Sequence, residues 1–324
     1  MKTINFKCMV VALMCSLVTI SCKKTSNNDV IVEEATQARV QTDDAAMVDG
    51  ETESADDDVN NVTAASERFC GPGNVFGSPF NLADATITTS APGTASKITI
   101  VYNGNTNPNS PCRKRTGTII IDLLNAPKWV DPGATLKYTF INFKVENTCT
   151  NRSVTINGER FVTNVKGGNL FRLRNNLVDS LQHKIKTGSV GLEATFTDSS
   201  GTKTAVWNVA RNTIIKNIGT TYFFTSMGDT TIGNSINTES WGTTRFGSAY
   251  KTVFSSAVKA NTNCKLWKPT AGEVVHYVGN FTSTVKLGLN ALGNPVGLND
   301  CAGYFRVTWM LSNGTNSSSL VPYK

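Results

Sequence analysis

The chain has 324 residues, 40% of them hydrophobic and 17% charged, with a formal net charge of +7. That length can bury a sizeable core, and the composition excludes a polyelectrolyte or a collagen-like repeat. Two histidines in the whole sequence leave little material for histidine-based metal or general-base chemistry.

The first segment reads as an address. Lys2 and Lys7 flank a short positive stretch, and an apolar run follows from Cys8 to Val18. A bilayer span needs about 20 apolar residues, so this run suits the core of a signal peptide over residues 1–21. It ends in Thr19-Ile20-Ser21-Cys22, which resembles the bacterial lipobox: a small residue just before an invariant cysteine. Thr19 stands where leucine is usual. Cys15 fits less well, because bulky Met14 precedes it. The resemblance implies that Cys22 is lipidated and becomes the first mature residue. Two or more acyl chains anchor stably, since each buried CH₂ contributes about 0.8 kcal/mol.

Residues 22–68 read as an acidic, flexible tether. Between Asn27 and Arg68 twelve acids face only Arg39 and Arg68, and Asp56-Asp57-Asp58 form a run. Low hydrophobicity with high charge buries too little apolar area to offset chain entropy. Short helices over Glu33–Val40 or Asp43–Val48 would be marginal. The aspartate run lacks the alternating ligands and turn glycine of a calcium loop, so it reads as solvated. From Phe69 onward the balance inverts: twelve acids against twenty-five bases, about +13. Such a charge favours acidic polysaccharide, lipopolysaccharide phosphate or another polyanion as partner.

Residues 69–324 read as one antiparallel β domain, with room for two subdomains. Ile98, Ile100 and Tyr102 share a face, and Gly117–Leu124 is apolar on both faces. Asp131-Pro132-Gly133 turns the chain into Leu136–Val145, where the apolar parity switches between Phe140 and Ile141, the mark of a β-bulge or a doubly covered strand. Asn157-Gly158 predicts a hairpin turn between Ser153–Ile156 and Glu159–Thr163. Strands follow at Ser180–Lys186 and Val190–Thr197, then, after the turn Asp198–Gly201, at Lys203–Ile215, Tyr222–Ser226, Thr230–Ser240 and Ser248–Ala260. Glu273–Gly279, Phe281–Leu289 and Tyr304–Leu311 complete the series. No long helical period appears. The fold class is all-β, an elongated meander or a sandwich, behind a disordered tether.

Candidate site residues are few. After Cys22 come Cys70, Cys112, Cys149, Cys264 and Cys301. An exported chain meets an oxidising compartment, so disulfides are expected, and sequence alone leaves the pairing open. The favoured pairs are Cys70–Cys112, stapling the tether to the first sheet, and Cys264–Cys301, which leaves Cys149 over. No CxxC spacing points to zinc or redox chemistry, and no metal, cofactor or catalytic set stands out. Arg113-Lys114-Arg115 is the one dense basic cluster and the candidate polyanion contact. It has no aromatic pattern beside it, which argues against nucleic acid. His183 and His276 read as partly buried strand residues. Trp129 and Trp241 are the tryptophans most open to stacking on a sugar. Asp179-Ser180-Leu181 and Asp229-Thr230-Thr231 are similar to a short acceptor sequence for O-linked glycans in Bacteroidota.

Arg115-Thr116-Gly117 followed by Ile119-Ile120-Ile121, then Asp131-Pro132-Gly133, Asn157-Gly158, the strand bearing Trp207 and Asn299-Asp300-Cys301 together resemble uncharacterised β-rich lipoproteins of Bacteroidota. Members of that group also carry an acidic stretch after the lipidated cysteine. The resemblance implies an outer-membrane lipoprotein and carries over no catalytic residue. Lys23-Lys24 depart from the acidic residues that usually follow the cysteine in surface-exported members, so either membrane face stays open. The reading is a non-enzymatic structural or binding role toward an envelope polymer. The alternatives are a polysaccharide hydrolase or lyase, recognisable by two facing carboxylates, and a periplasmic carrier of lipid or hydrophobic cargo, recognisable by an apolar groove.

Overall fold

The computed structural model describes residues 26–64, 82–90, 97–107, 110–264, 268–297, 300–310, 314 and 316–323. The signal segment 1–21, Cys22 and Cys70 lie outside these residues. The all-β class holds: among the described residues there are sixteen strands, and within each unit they pair antiparallel. The acidic stretch is a correction. It forms helix α1, Ser26–Ala64, not a flexible tether over those residues.

The chain divides into two compact units, Glu51–Asn217 and a second that joins residues up to Gly50 with Ile218–Lys324. The division falls inside α1 rather than at residue 68, so each unit holds one part of the helix.

The unit from Glu51 to Asn217 is a meander. Its strands are β1 (Ala85–Thr89), β2 (Lys97–Asn107), β3 (Ser110–Leu124), β4 (Ala134–Asn147), β5 (Arg152–Asn164), β6 (Leu181–Thr187), β7 (Leu192–Asp198) and β8 (Gly201–Ile218). β1 to β5 pair in sequence order. β5 then carries β7 along its first half and β6 along its second, and both pair with β8. Alternation fixes one inner face, on which Ile98, Ile100, Ile119, Ile121, Leu136, Tyr138 and Phe140 are buried.

The parity switch in β4 is a bulge. Phe140 and Phe143 are buried while Ile141 and Asn142 between them are exposed, and the register with both neighbours shifts there. Asn142 is left-handed at φ 48°. Gly117 lies against it: a Cβ at that position would sit 2.0 Å from the Asn142 carbonyl oxygen, so no side chain fits. Asn157-Gly158 is the second correction. The pair lies inside the continuous strand β5, and the Asn157 side-chain oxygen accepts from the Asn142 N–H at 2.7 Å. The amide thus serves the bulge beside it rather than a turn of its own.

The other unit holds β9 (Thr221–Gly228), β10 (Thr230–Ile232), β11 (Ser235–Thr243), β12 (Ala249–Asn261), β13 (Ala271–Val278), β14 (Phe281–Leu289), β15 (Tyr304–Met310) and β16 (Asn316–Pro322). Strands β10 to β16 pair in sequence order, and β9 lies along the end of β12. Thr230–Ser240, expected as one element, is the hairpin β10–β11. Val274, Val285, Leu287, Phe305, Val307, Val321 and Tyr323 form the core of this unit.

Among the described residues two disulfides are present, Cys112–Cys149 and Cys264–Cys301, with Cα separations of 5.3 and 4.9 Å. The second is the expected pair. The first replaces Cys70–Cys112 and takes up Cys149. Arg113 stands opposite Asn147 in the β3–β4 ladder, so Cys112 reaches Cys149 just past the strand end. The bridge closes the end of that hairpin opposite its turn.

Candidate functional site

The densest arrangement of charged side chains is the seat of α1. Among its described side chains the buried ones are Gln41, Asp44, Val48, Thr52, Ala55, Asp58, Val59 and Val62, with Thr42 beside them. Steps of three and four residues place these on one helical face. Half of that stripe is polar, so apolar burial alone does not account for it.

In the unit from Glu51 onward, arginines on the strands receive the helix carboxylates. Arg115 on β3 is held by two acids at once. Its Nε and Nη2 donate to the two oxygens of Asp84, each at 2.7 Å, and its Nη1 donates to Asp58. The guanidinium carbon lies 4.4 Å from the centre of the Tyr102 ring, and the Tyr102 hydroxyl donates to Asp58 at 2.8 Å. Burial, and next the Asp58 charge, push the Tyr102 hydroxyl well above its ordinary pKa, which keeps it a donor. Arg160 on β5 donates to Asp56 at 2.7 Å and to the Thr52 carbonyl at 3.1 Å. Arg211 on β8 donates to Glu53 at 3.1 Å. Arg113 pairs with Glu51 and donates to the Ser54 hydroxyl at 3.1 Å.

The other unit repeats the device. Arg245, in the turn between β11 and β12, grips Asp44 bidentately through Nε at 2.7 Å and Nη2 at 2.5 Å. Asp44 is 0% exposed and Arg245 3%. Ser248 donates to the Gln37 side-chain oxygen at 2.8 Å. Gln41, Thr42, Tyr250, Thr252, His276 and Ser283 line a cavity of about 10 Å³, the size that a single bridging water fills.

Planar guanidinium forks match carboxylates in two parallel hydrogen bonds, which fixes direction as well as charge. Burial outweighs the arginines at some positions. Glu53 and Asp56 are raised in pKa by burial, against the lowering effects of Arg211 and Arg160. Asp57, an exposed member of the run, is pushed up to about 6 by partial desolvation beside the packed helix face and then by the charges of Asp56, Asp58 and Glu53. Burial lowers His183 and His276 to about 4, so both are neutral at pH 7.

The basic cluster is split by strand alternation. Lys114 is exposed, whereas Arg115 is buried and Arg113 half-buried, each turned onto the helix. As a polyanion contact the trio therefore reduces to Lys114. Arg160, Arg211 and Arg245 went unrecognised in the sequence. One signal was present: Arg115 shares parity with Ile119 and Ile121, as Arg160 does with Val162, so each lies on a buried face. Trp129, expected to be exposed, is buried and packs 5.6 Å from the His183 ring. Ser180 is buried and accepts a hydrogen bond from Lys166. Among the described residues no group of three His, Cys, Asp or Glu side chains is placed to hold a metal ion. No protein-family model, curated protein or solved structure matches the chain.

Removing one partner of a buried pair strands a charge. Asp44→Ala is expected to lower unfolding free energy by about 3–5 kcal/mol, while Asp44→Leu combined with Arg245→Met recovers most of it. Urea denaturation of the three chains measures this. Asp57 has the opposite sign. Its pKa in the folded state exceeds the ordinary carboxyl value, so its ionised form destabilises the fold, and stability is gained as pH falls through about 6. Asp57→Asn should raise the melting temperature at pH 7.5, with the gain nearly gone at pH 3.5.

Proposed function

We propose that this chain is a lipid-anchored lipoprotein of a bacterial outer membrane, with a non-enzymatic structural or binding role toward acidic envelope polymers. The anchor rests on the N-terminal sequence, where Cys22 follows the apolar run and small Ser21. No described helix is long and apolar enough to cross a membrane. The observation that carries the binding role is that lysines stay exposed on the strands although α1 takes five arginines. Exposed ammonium groups attract a uronate chain, which presents carboxylates at regular intervals. Lys114, Lys186, Lys203, Lys216 and Lys286 stay exposed once the helix has taken its arginines, and these supply the outward attraction.

The full chain should be retained on immobilised polygalacturonate at low ionic strength and released by salt, since exposed charges are screened within about 10 Å at 0.1 M. A neutral polysaccharide should not hold it. Passage through the acidic column at low ionic strength removes the binding role. Incorporation of labelled palmitate should disappear in Cys22→Ala; unchanged labelling removes the anchor.

A further inference from the structure

Between β5 and β6 the chain makes a short, firmly built excursion, Val165–Ser180. It holds one helical turn, α2 (Leu170–Arg174). Asn169 caps its start, accepting from the Arg172 N–H at 2.9 Å. Its end is a Schellman closure: the Leu177 N–H donates to the Arg172 carbonyl at 2.8 Å and the Asn176 N–H to the Leu173 carbonyl at 3.2 Å, with Asn176 left-handed at φ 56°. Beneath it, buried Asn164 donates to the carbonyls of Trp129 at 3.0 Å and Gly168 at 2.8 Å. Leu173 is the one residue of α2 that is buried.

What this turn presents outward is unusual. Leu170 is 48% exposed, Phe171 45% and Leu177 65%, and the Schellman closure folds Leu177 back toward the turn that carries the other two. Arg172, Arg174 and Lys166 are also exposed, against one acid, Asp179, in the same excursion. Apolar tips interleaved with arginines on a fixed turn are the pattern of an interfacial membrane contact: the hydrocarbon enters the acyl boundary and the guanidinium groups stay at the phosphates. A protein partner fits less well. A stable interface buries about 800 Å² per side, far more than three side chains on a projecting turn supply.

We propose that Leu170, Phe171 and Leu177 enter the surface of a bilayer while Arg172 and Arg174 bind the phosphates of its anionic lipids. The contact rests on the lipoprotein reading, which would hold the turn at a membrane continuously. It does not need the lipid for its own test.

The test uses the full chain carrying Cys22→Ala, so that failure of the anchor cannot affect it. Sedimentation with phosphatidylcholine vesicles is compared with vesicles containing 30% phosphatidylglycerol, and hydrogen exchange follows residues 168–180. Binding is expected to be about tenfold tighter to the anionic vesicles, with slowed exchange confined to the turn. Arg172→Gln with Arg174→Gln should abolish that preference. Leu170→Ser, Phe171→Ser and Leu177→Ser together should weaken binding to both vesicles with the near-ultraviolet circular dichroism unchanged. Equal binding by the variants, or exchange at 168–180 unaltered by vesicles, would overturn the proposal whether or not Cys22 is lipidated.

Discussion

The structure depends on carboxylate–arginine pairing between α1 and the strands it lies against. Taken alone, this helix is a weak one. It is rich in Asp, Asn, Thr and Val, and it carries Gly50 in its interior, which costs about 1 kcal/mol relative to alanine. Among its described side chains the buried apolar ones are Val48, Ala55, Val59 and Val62, interspersed with buried Gln41, Asp44, Thr52 and Asp58. Asp44, Asp56 and Asp58 make up the difference because each ends on a guanidinium carried by a strand or, for Arg245, by the turn between two strands. An ion taken out of water loses several kcal/mol of hydration, and a partner in fixed bidentate geometry offsets that loss. The pairs therefore define where the helix sits more than they add to net stability.

This explains what could be read in the sequence and what could not. Strands announce themselves within a few residues, so β4 with its bulge and the turn at Asp198–Gly201 were legible. The acidic stretch was misread because its composition describes an isolated chain, and its stability comes from arginines up to 201 residues away, as for Asp44 and Arg245. The steps from Asp44 through Val48, Thr52, Ala55, Val59 and Val62 held a helical period, obscured by the charges between them. Asn157-Gly158 misled for a related reason. Its turn chemistry is real, yet the asparagine amide serves a bulge on the neighbouring strand. Cys112–Cys149 follows from the β3–β4 register once the turn at Asp131–Gly133 is taken as its centre, whereas Cys70 offered no register at all.

The same pairing changes the meaning of the charge. The +13 of the region after Phe69 suggested an open cationic surface, but five arginines spend their charge on α1. The cations left outward are mostly lysines scattered along strands, together with the compact set around α2. The candidate site was thus half legible: the attraction to carboxylates was visible in the totals, and its first ligand, the chain's own helix, was not.

Hydrogen exchange across residues 37–62 tests the central claim most directly. If the pairs seat the helix, these amides exchange far more slowly than in an isolated peptide of the same sequence, and a combined Arg115→Ala, Arg160→Ala and Arg245→Ala change speeds them while the strand amides of β13 and β14 stay protected. Fast, peptide-like exchange of residues 37–62 in the unaltered protein would contradict the account and return this stretch to a flexible tether.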